Sequence, residues 1–206
     1  MIERFVKEIR ASMDCDLLLP ALALSLTLPD TCGKAEYPGL KVGERYIRWY
    51  DENVIDIGKM PRFDDSDAEM PHMSGEVVYS LRCQYLHQGT PNIEKNKIKA
   101  DECKIDLFCL IMDKKNDNCP LHDTALVMGP TDEEAKKQGA VIRMYDINVR
   151  WFCECVCTAA EKYHKKNKEK FHFIQYEIED YHKEIDQAIT IETKNAYFKM
   201  LNNLGL

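Results

Sequence analysis

Residues 74–89 read SGEVVYSLRCQYLHQG, and this stretch decides the fold class. Ser74 can cap the free amides at a helix start, and Glu76 in the first turn suits the positive end of the dipole. Val78, Leu81 and Tyr85 recur at spacings of three and four, which gives one apolar stripe. Gly89 supplies a left-handed exit, and Pro91 cannot continue a helix. The stretch is therefore predicted as one helix. It carries Arg82 in its middle and His87 in its last turn. Five residues is about 140° around an ideal helix, so the two side chains leave on different faces unless the last turn is distorted. Their convergence then needs a dimer axis or a groove beside the helix end.

Working upstream, residues 1–15 form an amphipathic helix with Ile2, Phe5, Val6 and Ile9 on one side. Asp16 is predicted to cap a second, largely buried helix to about Leu28. Pro29, Gly33, Pro38 and Gly39 then break the chain. Residues 42–54 resume as a helix with Tyr46, Trp49, Tyr50 and Val54 as its apolar stripe. Residues 58–71 read as a loop. Downstream, residues 105–112 (IDLFCLIM), 124–128 (TALVM) and 140–145 (AVIRMY) read as strands of a small antiparallel sheet. Asp146 or Asn148 can cap a long helix to about Asn167, on Val149, Phe152, Val156, Ala159 and Tyr163. Residues 171–181 are ambiguous between strand and loop, and 185–201 read as a last helix. The expectation is a mainly α protein: a helical bundle over 1–92, a sheet insertion over 93–145, and C-terminal helices over 146–206. No flexible linker separates these parts, so the chain reads as one domain with an appended subdomain.

The totals bound the function. The chain has 206 residues, 45% of them hydrophobic, enough for a real core. Its net charge of −7 and pI near 5.4 argue against a general nucleic-acid coat, while leaving room for a local basic groove. No apolar run approaches the roughly 20 residues that span a bilayer, and MIERFVKEIR at the start is not a signal peptide. Nine irregularly spaced cysteines then favour reduced thiols in a cytoplasm over a disulfide framework. A Walker loop, a dinucleotide fingerprint and a nucleophile elbow are all missing, so nothing points to a cofactor.

Arg82 and His87 are the candidate catalytic pair. A histidine can move the proton of a ribose 2′-hydroxyl or protonate a leaving oxygen, and an arginine can hold a phosphate by paired N–H donors. The same spacing also fits a surface arginine and a histidine bonded to a helix-end carbonyl. RCQYLH resembles the R-x4-6-H signature of the HEPN superfamily, placed as in that family at the end of an apolar helix. The blocks LPDTCGKAEYPG, RYIRWYDENV and MSGEVVYSLRCQYLHQGTPNIE resemble a widespread group of bacterial proteins with a HEPN-like core. The resemblance covers roughly residues 17–94.

It implies a HEPN-like bundle and a homodimer in which the arginine and histidine of two protomers meet. It also implies cleavage of RNA without a metal, leaving a cyclic phosphate. Arg82 would be the phosphate ligand and His87 the acid/base. A ribonuclease of toxin or defence type would also have an antitoxin-type protein partner. The family commonly has Asn, Asp or His just after the arginine, and this chain has Cys83. That departure favours the other role found in the family, a non-catalytic homodimeric module that binds a nucleotide or a protein.

Residues 162–173, KYHKKNKEKFHF, are the candidate RNA-binding patch, with Lys162, Lys165, Lys166, Lys168 and Lys170 beside aromatic side chains. Such lysines also suit the negative end of a long helix. Metal sites are not expected. Cys153 and Cys157 share a helix face that Cys155 leaves. Cys119 and His122 have zinc-ligand spacing but no second pair. Asp14, Asp16, Asp30 and the 64–69 cluster lack calcium-loop spacing and read as solvated.

Overall fold

The structure is a computed structural model describing residues 1–58, 72–90, 92–93, 98, 105–113, 124–128, 142–174 and 191–203. The first helix, α1 (Ile2–Asp14), buries Ile2, Val6, Ile9 and Met13, the stripe its sequence carries. The second expected helix is interrupted. Helix α2 is Leu18–Ser25 and α3 is Leu28–Glu36. Three local features make this break. The Ser25 hydroxyl donates to the Leu22 carbonyl at 2.9 Å, and that of Thr27 to Leu24 at 2.7 Å, so both side chains compete with the backbone. Pro29 has no N–H to return to the Ser25 carbonyl, and it sits in the first turn of α3, where that loss costs little. Asp16 is not a cap. It adopts a left-handed φ of 56°, its carboxylate accepts from Arg150 at 2.7 Å, and Leu17 precedes α2.

Gly33 lies inside α3 instead of breaking the chain. A Cβ there would stand 2.7 Å from the carbonyl oxygen of Arg45, so glycine permits the close approach of α3 to α4 (Val42–Asn53). Tyr46, Trp49, Tyr50 and Val54 are buried as their spacing predicts. After the short α5 (Ile55–Gly58) comes α6 (Gly75–Gln88), which has the bounds expected for the 74–89 stretch. The Ser74 hydroxyl accepts from the Val77 amide, and Gly89 ends the helix at φ 70°. Helix α6 lies against α4 and touches α2. Gly75 sets its distance from α4, since a Cβ would meet the Ile47 carbonyl oxygen at 2.5 Å.

The sheet differs from the antiparallel one expected. Its order is β1 (Leu107–Ile111), β3 (Ile142–Asn148), β2 (Thr124–Met128). Strands β2 and β3 are antiparallel, but β1 and β3 are parallel, with Leu107 opposite Met144 and Ile111 opposite Asn148. A parallel pair needs a long crossover, and residues 112–141 between the two strands supply its length. Strand β3 also runs three residues further than expected. Its Tyr145 and Ile147 are buried.

Asn148 ends β3 and caps α7 (Val149–Lys166), its side-chain oxygen accepting from the Trp151 amide at 2.9 Å. Helix α7 belongs with the N-terminal helices. It packs against α1, α2, α3 and α5 and buries Phe152, Cys153, Cys155, Val156, Cys157, Ala159, Ala160 and Tyr163. Arg10 of α1 binds Glu154 and Glu161 of α7 through four hydrogen bonds of 2.7 to 3.1 Å. A 3-10 turn, Lys168–Phe171, follows. The chain forms two compact units, Met1–Phe173 and Ile174–Leu206. The second contains α8 (Ile191–Asn203), which overlaps the helix expected over 185–201, and residues 185–190 of that expectation lie outside the described residues. The fold is mainly helical with one small sheet, and no helix among the described residues is long and apolar enough to cross a membrane.

Candidate functional site

Arg82 and His87 meet within one chain. Arg82 Nη1 lies 3.0 Å from His87 Nε2. The helix stays regular to Gln88, so the expected separation of faces is overcome by the reach of the arginine side chain and not by a distorted last turn. A guanidinium can only donate, so Nε2 accepts, and in this arrangement the imidazole hydrogen sits on Nδ1. His87 is exposed, whereas the side chain of Arg82 is only 17% exposed. Arg82 Nη2 faces Asp30 Oδ2 of α3 at 3.8 Å, and Arg82 Nε is buried without a hydrogen-bond partner.

Asp30 is held from α4. Its Oδ1 accepts from Arg45 Nε at 3.1 Å and from Arg45 Nη2 at 2.8 Å. The line therefore runs Arg45, Asp30, Arg82, His87, through α4, α3 and α6. In the sequence alone Asp30 reads as a solvated acid, and no local pattern singles out Arg45. The signal was Gly33, one turn after Asp30, because a glycine buried in a helix marks close approach of another backbone.

Cys83 is half-buried, its sulfur 4.0 Å from Arg82 Nη1. It also neighbours Tyr79, whose phenol is pushed up by burial first and by the Cys83 thiol second. Tyr79 packs on Tyr46 with ring centroids 5.2 Å apart and covers Gly43 of α4. Tyr85 donates to the Leu19 carbonyl at 3.1 Å. Both tyrosines thus fix α6 to its neighbours.

The lysines fall into two groups. Lys162, Lys165 and Lys166 are exposed at the end of α7. Lys168 lies 3.6 Å from Glu3, and Lys170 donates to Glu36 at 2.6 Å. Glu36 also accepts from the Tyr163 hydroxyl. These two bonds, the lysine's first, hold its carboxyl below the usual range. Lys170 is thus engaged with the fold, while the first three lysines are presented to solvent.

Cys32, Cys153, Cys155 and Cys157 are core groups, whereas Cys15 and Cys109 are exposed. Burial pushes the Cys32 and Cys157 thiols up and that of Cys153 to about 12, which disfavours the thiolate that nucleophile or metal chemistry needs. Among the described residues, no group of three or more His, Cys, Asp or Glu is placed to hold a metal. Cys119, His122 and the 64–69 acidic cluster lie outside the described residues. Comparison with protein-family models, with curated proteins and with solved structures finds no match.

Proposed function

We propose that this protein is a HEPN-like, metal-independent endoribonuclease of toxin or defence type, acting through Arg82 and His87. The observation that supports this reading is the 3.0 Å contact between Arg82 Nη1 and His87 Nε2, which brings a phosphate-binding group and a proton-transfer group together. In the proposed reaction an RNA phosphate draws Arg82 away from the imidazole. This frees the Nε2 lone pair to take the 2′-hydroxyl proton. The 2′-oxygen attacks phosphorus, the bond to the 5′-oxygen breaks, and that oxygen leaves as a hydroxyl after taking a proton from water, to which the imidazolium returns the proton it took. Arg82 stabilises the charge that develops on the phosphoryl oxygens. Lys162, Lys165 and Lys166 are offered for contact with the RNA backbone. A homodimer and an antitoxin-type protein partner belong to the same proposal.

A second reading is favoured by Cys83 and by the cover over Arg82. In it, the protein is a non-catalytic homodimeric module that binds a nucleotide or a protein through α6. Growth on induced expression separates the two. The ribonuclease reading expects wild-type protein to slow its host and His87→Ala, at equal protein level, to relieve the effect. Equal and harmless expression of both would leave the binding module.

A further inference from the structure

We propose that Asp30 is a positioning residue for Arg82, and that Arg45 fixes Asp30 for that task. The inference rests on the reading of Arg82 and His87 as the site. It extends the site from one helix to three.

A guanidinium with its Nε buried and unbonded needs a countercharge. Asp30 Oδ2 supplies one at 3.8 Å from Nη2. That distance is too long for a hydrogen bond, so the carboxylate acts through charge, in a place where little water screens it. Its orientation is set elsewhere. Both Arg45 bonds fall on Oδ1, which leaves Oδ2 turned toward Arg82. The close approach at Gly33 keeps Asp30 and Arg45 in reach of each other. The guanidinium is a rigid planar fork, so holding Nη2 also aims Nη1. Nη1 is the nitrogen that bonds His87. Asp30 thereby acts on the imidazole through Arg82 without touching it.

The test compares wild type with Asp30→Asn and Asp30→Ala by the nitrogen-15 shifts of the His87 ring, assigned through His87→Ala. In wild type, Nε2 reads as an acceptor and Nδ1 carries the hydrogen. Both Asp30 variants are expected to lose that pattern and revert to the Nε2–H form preferred by free histidine. Asp30→Asn keeps the shape of the side chain and so serves if Asp30→Ala folds poorly. On RNA, the same variants are expected to lose roughly 10- to 100-fold in kcat with a smaller change in KM. An unchanged His87 spectrum in Asp30→Asn, with a changed one in Arg82→Ala, overturns the inference. The spectrum needs no substrate, so it decides about Asp30 even if the wild type cleaves nothing. Conversely, full cleavage by both Asp30 variants removes Asp30 and leaves the ribonuclease reading standing.

Discussion

Trp49→Ala is expected to lower stability by about 3–5 kcal/mol, the range for deleting a large buried aromatic ring. For a chain of this length that is a fall of roughly 6–20 °C in melting temperature. The indole is fully buried at the contact of α4 with α7, edge-on to Tyr163 at 5.7 Å between ring centroids. Tyr163 in turn binds Glu36 of α3, so the ring sits where three helices join. Trp49→Phe separates packing from polarity. The indole Nε1 is buried without a hydrogen-bond partner, so its removal forfeits no bond. The phenylalanine variant is therefore expected to lose less than half as much. Thermal melts of both variants measure this, and equal losses would mean that the indole nitrogen has a partner.

Arg82→Lys is expected to reduce RNA cleavage on the order of 10²–10³-fold, close to the loss in Arg82→Ala. A lysine keeps the charge but not the fork that reaches His87 and a phosphate together. The fold is expected to stay intact in both. Asp30 retains its two bonds from Arg45 when Arg82 is shortened, so no carboxylate is left buried and unpaired. Stability is expected to fall by roughly 1–2 kcal/mol, more than for an exposed pair because the guanidinium is largely covered, and less than for a buried charge left unpaired. Steady-state cleavage with parallel melts checks both halves. A lysine variant with wild-type activity would show that charge alone suffices at position 82.

The helical parts of the fold were legible in the sequence because their apolar spacing is regular and their ends carry chemistry. Ser74, Gly89 and Asn148 all do at helix ends what their residue types suggest. The failures have local causes. The break between α2 and α3 comes from hydroxyls turning back on their own helix, which periodicity does not register. Gly33 looks like a chain breaker in one dimension and is a contact point in three. The parallel pairing of β1 with β3 depends on which strand lies between the others, and strand composition is silent on that. Helix α7 was readable as a helix, but not as the one that α1, α2, α3 and α5 surround. At the site, spacing put Arg82 and His87 on separate faces, and only side-chain length brings them together. Asp30 and Arg45 come from other helices, where no local pattern ties them to α6.

The most direct measurement is incubation of the purified wild-type protein with a single-stranded RNA in excess chelator, followed by analysis of the product ends. The account predicts cleavage that persists with chelator, leaves 2′,3′-cyclic phosphate and 5′-hydroxyl ends, and disappears in His87→Ala. Intact RNA, or cleavage that His87→Ala retains, would contradict it.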